Sequence, residues 1–222
     1  MSFRINYKNR LVMGGAVVLL LIVSVARPAV ATDDAPGMKA FRSGDYTTAY
    51  REWKPLADKG DANAQCNLGI LYQKGLGVDR DSAEAFRLFQ LAADKGNSQA
   101  QYQLAQMYAK GWGVPQNYSS ALLWTQKSAA AGDPDGENRM GWLYDEGYGV
   151  QKDAKQAVYY YRLAAEKGNA DAEFSLGLAY EKGSGVHKDN VEAAKWLQLA
   201  AKQGNTKAQA ELDSLGQLAT KK

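Results

Sequence analysis

The chain has 222 residues, with 27 Lys and Arg against 24 Asp and Glu, a formal net charge of +3. Four of those bases (Arg4, Lys8, Arg10 and Arg27) fall in residues 1–31, which hold no acid; the rest of the chain carries −1, lacks the positive field that phosphate backbones require, and nucleic acid is excluded as the expected partner. Cys66 is the single cysteine and His187 the single histidine, which excludes an intrachain disulfide, the usual zinc constellations and catalytic pairings that need a second imidazole, so no metal and no cofactor is expected.

In chain order, the basic start is followed by the apolar run Leu11–Ala26 and then by Arg27-Pro28-Ala29-Val30-Ala31, whose small Ala29 and Ala31 suit a signal peptidase. Residues 1–31 therefore read as an export signal cleaved after Ala31, which places the protein in the periplasm or outside the cell. The alternative is an uncleaved anchor, the one way in which this chain would meet a membrane.

Residues 32–60 read as a cap and a leading half-repeat. The segment Asp34–Gly44 supplies a first helix and turns through Ser43-Gly44-Asp45 into Asp45–Gly60, which matches the second half of the units that follow. Residues 61–204 then contain four copies of a 36-residue unit without gaps: Asp61–Gly96, Asn97–Gly132, Asp133–Gly168 and Asn169–Gly204. A fixed period of this length means stacked supersecondary units. Residues 205–222 supply a last helix over Asn205–Gly216 and a tail.

Each unit reads as two helices, A and B. Its first residue (Asp61, Asn97, Asp133, Asn169, and again Asn205) can accept bonds from the free amides of helix A. Helix A ends at Gly75, Gly111, Gly147 and Gly183, which suit a left-handed cap; Gly77, Gly113, Gly149 and Gly185 suit a tight reversal, and Val78, Val114, Val150 and Val186 fold the loop onto the core. Asp81, Asn117, Asp153 and Asp189 open helix B, and Glu84, Gln156 and Glu192 stand where a reciprocal capping box would form, with Ser120 the weak member.

Within helix A, Ala64, Leu68, Leu71 and Tyr72 and their counterparts cover one face. Helix B repeats the pattern with Ala85, Leu88 and Ala92. One helix pair cannot bury such a face alone, so the expected fold is all-α, an α/α superhelical solenoid of antiparallel helix pairs.

The text A-x-x-x-L-G-x-x-Y-x-x-G-x-G-V followed by D-x-x-x-A-x-x-W/Y/L-x-x-x-A-A-x-x-G, as in Ala172–Val186 and Asp189–Gly204, resembles the Sel-1-like repeat family, relatives of the tetratricopeptide repeats. The resemblance covers residues 45–216. It implies an exported bacterial protein of envelope signalling, cell-wall machinery or host interaction. The disulfides of the cysteine-rich branch of that family do not carry over to a chain with one cysteine.

Several chemical readings compete with a purely architectural one. The Gly-x-Gly segments lack the third glycine and the Gly-Lys-Ser/Thr of phosphate loops. Ser-x-x-Lys and Lys-Thr-Gly, the β-lactam-directed motifs, are absent, so no enzyme is expected. The rival reading remains a cell-wall-directed enzyme or binder of β-lactams or peptidoglycan fragments. His187 stands in a variable loop column, and Asn117-Tyr118-Ser119 matches a glycosylation sequon that capping already explains. Cys66 falls on the outward side of the helix A wheel, where partial exposure is expected; inert packing is preferred to a reactive thiol.

The same outward side holds apolar residues where a solvated face would be charged: Ile70, Tyr102, Trp142, Phe174 and Leu178 on the A helices, with Trp112 and Tyr148 between the loop glycines. Such apolar exposure marks a contact surface, unless superhelical curvature covers it with neighbouring repeats. On the first alternative the stacked A helices line a concave groove for a protein or peptide partner, and the seven residues are the candidate anchors.

Overall fold

The computed structural model describes residues 35–220; the expected export signal, residues 1–31, lies outside them. Among the described residues there are eleven helices and no strand. The cap pair is α1 (Pro36–Arg42) and α2 (Tyr46–Asp58). The A helices are α3 (Ala62–Lys74), α5 (Ser98–Lys110), α7 (Pro134–Glu146) and α9 (Ala170–Lys182); the B helices are α4 (Ser82–Asp94), α6 (Tyr118–Ala130), α8 (Ala154–Glu166) and α10 (Asn190–Lys202). The last helix, α11 (Thr206–Thr220), runs past the expected end at Gly216. Each helix packs on its sequence neighbours, and α5 also touches α7, one unit further on, which makes the chain an α/α solenoid. No described helix is long and apolar enough to cross a membrane.

The first residue of each unit caps helix A as its chemistry dictates. The Ala64 N–H donates to Asp61 Oδ1 at 2.7 Å, Ala100 to Asn97 at 2.8 Å and Ala172 to Asn169 at 2.9 Å. Gly75, Gly111, Gly147 and Gly183 adopt φ of 69°, 71°, 78° and 70°, the left-handed conformation that lets their N–H groups close the last turn.

The start of helix B differs from the capping-box expectation. Asp81, Asn117, Asp153 and Asp189 do accept from the amides three residues on. Their own N–H groups, however, donate to the carbonyls of Tyr72, Tyr108, Tyr144 and Tyr180 in the preceding A helix, at 2.9–3.0 Å. The loop brings that donor back to the last turn of helix A, where a free carbonyl waits. Glu84 and Glu192, released from the box, pair with Arg87 and Lys195 on the helix surface.

Inside each pair, helix A offers a residue with little or no side chain to a larger one on helix B. A Cβ on Gly69 would lie 2.7 Å from the ring of Phe89, one on Gly141 2.6 Å from Tyr161 and one on Gly177 2.7 Å from Leu197. The second unit has Ala105 at this position and Thr125 at the partner position, so the larger residue on helix A faces the smallest one on helix B. Phe89, Thr125, Tyr161 and Leu197 are all buried.

The fifth position of each unit is buried but polar: Gln65, Gln101, Glu137 and Glu173. Gln65 and Gln101 donate across the unit boundary to the Ala57 and Ala93 carbonyls. A donor at the end of three units bonds both the fifth residue of its own unit and the last carbonyl of the preceding one. Lys95 Nζ donates to Gln65 Oε1 and to the carbonyl of Gly60. Lys167 does the same to Glu137 and Gly132, and Gln203 to Glu173 and Gly168. In the second unit the donor position is Ala131, and Gln101 Oε1 is left without a partner.

Cys66 corrects the helical-wheel expectation: it is fully buried, in the cluster with Phe89, Leu104 and Met107. The wheel placed it opposite Ala64, but α5 of the next unit stacks on that side. Burial pushes its thiol up to about 12, which fits inert packing.

Candidate functional site: an aromatic cleft between the second and third units

The stack is not uniform along its length. A Cβ on Gly77 would lie 2.8 Å from the backbone of Tyr46, one on Gly113 2.2 Å from that of Ser82 and one on Gly185 2.1 Å from that of Ala154. In those three places the Gly-x-Gly loop rests directly on the first turn of the previous B helix. The equivalent point for Gly149 is Tyr118, yet the single neighbour within 4 Å is a side-chain carbon of Leu122, at 3.3 Å. At the other end of α7 the approach is closer than elsewhere. Gly136 replaces the alanine of the other units, and a Cβ there would lie 2.3 Å from Ser128 Oγ. The junction is therefore close at the start of α7 and open at the loop beyond its end.

The opening is a cleft of about 620 Å³ between α5, α6 and α7. Tyr102 lines it from α5, Tyr118 and Leu122 from α6, Trp142 and Arg139 from α7, and Tyr148 from the loop beyond. The Trp142 and Tyr148 rings lie 5.1 Å apart, tilted by 33°. The Arg139 guanidinium stacks 4.0 Å above the Trp142 ring, and the Lys110 ammonium, also on the wall, stands 4.2 Å over Trp112. Tyr148 is 58% exposed and Tyr118 69%, so the mouth is aromatic and open while Tyr102 and Trp142 are half-buried.

Electrostatically the cleft is one-sided. Its wall includes no Asp or Glu, and among the described residues no carboxylate pairs with Lys110 or Arg139. Burial holds the Arg139 guanidinium below its ordinary pKa, with Tyr102 opposing that shift. Burial, and then the charge of Asp135, raises the Tyr102 phenol, which keeps it a neutral donor at physiological pH. Asp135 itself is raised by burial and by neighbouring Asp133, and accepts a bond from Asn169 at 2.8 Å. Those acids sit at helix starts, outside the lining. The wall contains no Ser, Cys or His, and its Thr125 hydroxyl donates to the Ala121 carbonyl at 2.8 Å.

Of the seven anchors expected from the sequence, Tyr102, Trp142 and Tyr148 meet in this cleft. Trp112 is 37% exposed and linked to it through Lys110. Ile70 is instead half-buried against the Phe89 cluster, and Phe174 packs with Ala193, Leu197, Ala208 and Leu215, partly under α11. Leu178 is half-buried and outside the cleft lining. Stacking covers one part of the outward face and leaves another open, so the seven residues do not form one continuous groove.

Sequence reasoning passed over Arg139, Lys110, Tyr118 and Leu122. Arg139 stands three residues before Trp142, the spacing that places two side chains on one helix face, and that signal was available. Tyr118 and Leu122 belong to a B helix and line the cleft where the loop at Gly149 stands off from that helix. A second, smaller cavity of about 460 Å³ between α6, α7 and α8 is lined by Tyr144, Tyr159, Tyr160 and Glu137.

Several known proteins share this architecture. A Sel1 repeat protein from Oxalobacter formigenes is 35% identical, with a TM-score of 0.70, over 76% of this chain and 49% of that one. The protein c5321, a protective antigen present in uropathogenic Escherichia coli strains and displaying an SLR fold, is 32% identical with a TM-score of 0.67, over 79% of this chain and 38% of that one. The rat DAP3-binding cell death enhancer 1 is 37% identical over 49 residues, 22% of this chain and 10% of its own. The chain thus spans half or less of the length of these relatives. The Sel1 repeat model matches residues 62–97, 98–133, 134–169 and 170–205, one residue out of step with the units defined by the helix caps. With four consecutive matches covering both helices of every unit, the chain belongs to the Sel1 repeat family.

Proposed function

We propose that this protein is an exported interaction scaffold in which the cleft between the second and third repeats takes a segment of a partner protein. The observation that carries this reading is the opened junction: an aromatic cleft stands where the Gly149 loop leaves α6, while the three equivalent loops rest on the preceding B helix, and aromatic anchors dominate binding energy at protein interfaces. Export is supported by the leader-like composition of residues 1–31 and by likeness to an antigen of uropathogenic E. coli. Envelope signalling, assembly of cell-wall machinery and host interaction are the settings in which such a scaffold would act.

The test is crosslinked capture of partners from the native envelope fraction by wild-type protein and by Trp142→Ala, with matched circular dichroism. Removing a central aromatic is expected to weaken capture at least about tenfold. Equal capture by a folded Trp142→Ala protein would remove the cleft from the reading. A mature N-terminus at Thr32, read by mass spectrometry of the native protein, is the expected result for export.

A further inference from the structure

We infer that the segment taken by this cleft is acidic: a peptide that places an Asp or Glu carboxylate against Arg139 and Lys110 and an adjacent apolar side chain against Tyr102 and Trp142. The inference rests on the reading of the cleft as a peptide site and adds the chemistry of the occupant.

Arg139 and Lys110 are the charged residues on the wall, and neither has a carboxylate partner or donates a hydrogen bond among the described residues. The guanidinium carbon stands 4.0 Å over the Trp142 ring, and its five N–H donors are not spent on any described residue. A half-buried guanidinium held over a ring is already restricted in place, so less order remains to be imposed when it bonds a carboxylate. The apolar part of the wall, with Ala105, Ala109 and Leu122 beside the rings, supplies the burial that a lone carboxylate would not.

Other anions fit less well. Asp133, Asp135 and Asp171 act on the Tyr102 end of the cleft, and their summed charge opposes an occupant that carries a chain of negative charges there. The rest of the chain beyond residue 31 is slightly acidic, which also opposes a polyanion.

The experiment begins with selection of phage-displayed random dodecapeptides on the purified chain. The enriched peptides are then synthesised in matched pairs, with Asp or Glu replaced by Asn or Gln, and titrated by fluorescence anisotropy. Enrichment of Asp or Glu next to an aromatic or aliphatic residue is expected, with a loss of about 10- to 100-fold for the neutral peptide. Arg139→Gln is expected to remove that difference, Arg139→Lys to restore part of it, and added salt to reduce it. Should Arg139→Gln fail to fold, Arg139→Lys and Lys110→Gln carry the same comparison. Peptides with no acidic bias, lost with Trp142→Ala but indifferent to Arg139→Gln and Lys110→Gln, would overturn the acidic occupant and leave the peptide cleft standing. Absence of any Trp142-dependent peptide would overturn both. Stronger binding of oligothymidine, in competition with the selected peptides, would assign the two cations to nucleic acid and overturn the inference.

Discussion

Gly141 has no room for a methyl group: a Cβ there would lie 2.6 Å from the Tyr161 ring and 3.1 Å from the Ala157 carbonyl. Gly141→Ala is therefore expected to destabilise the fold by about 1–3 kcal/mol in denaturant titration, the usual cost of overpacking. The second unit supplies the control, since it holds Ala105 opposite Thr125. In a Tyr161→Thr background the same alanine should cost less than about 0.5 kcal/mol, so a double-mutant cycle reports a coupling of about 1–2 kcal/mol. Additive effects would show that the glycine serves some other purpose. The motif glycine was legible in the sequence; its partner was not, because the two residues lie 20 positions apart on different helices. Cys66 shows the same limit, since a wheel drawn for one helix knows nothing of the neighbour that buries its far side.

At the scale of the element, caps and loops follow local chemistry and were the most legible part of the molecule. Asp or Asn at each helix start and glycine at each A-helix end behave as their side chains dictate. The return bond from each B-helix cap was not legible. Its acceptor is a tyrosine main-chain carbonyl in another helix, which leaves no mark on side-chain spacing. The rungs that join consecutive units are also hydrogen-bonded across 30–35 residues, and the missing rung makes a prediction. Ala131→Lys should give Gln101 Oε1 and the Gly96 carbonyl the donor that Lys95 and Lys167 provide elsewhere. The expected gain is about 1 kcal/mol, seen as a higher melting temperature, because an unsatisfied buried acceptor is costly. An unchanged or lower melting temperature in Ala131→Lys, with Ala131→Gln no better, would mean that the second unit does not accept the rung.

At the scale of the whole molecule, each unit touches mainly its neighbours, so a local change in stacking remains local and can make a site. Gly113 and Gly149 offer a direct measure of the open junction. Both have left-handed φ, 68° and 72°, so alanine brings the same conformational cost to each. The surroundings differ: the new Cβ would stand 2.2 Å from a main-chain oxygen at Gly113 and 3.3 Å from a flexible leucine at Gly149. Gly113→Ala should therefore be more destabilising than Gly149→Ala by about 1–3 kcal/mol in equilibrium unfolding. Equal costs would mean that the third loop closes onto α6 in solution and that the cleft is not an open feature.

The sequence by itself determined the period, the helix boundaries, the caps and the family, because these depend on residues within one turn or one repeat of each other. It also named Tyr102, Trp142 and Tyr148 as outward aromatics. Only the tertiary structure decided which outward residues remain open. Ile70 and Phe174 occupy the same repeat positions as Trp142 and Tyr102, and all four are half-buried, yet only Trp142 and Tyr102 line the cleft, Trp142 while also packing against two core clusters. The cleft lies where α7 approaches α6 closely at Gly136 while the loop beyond α7 stands off from α6 at Gly149, an arrangement that depends on contacts between two units.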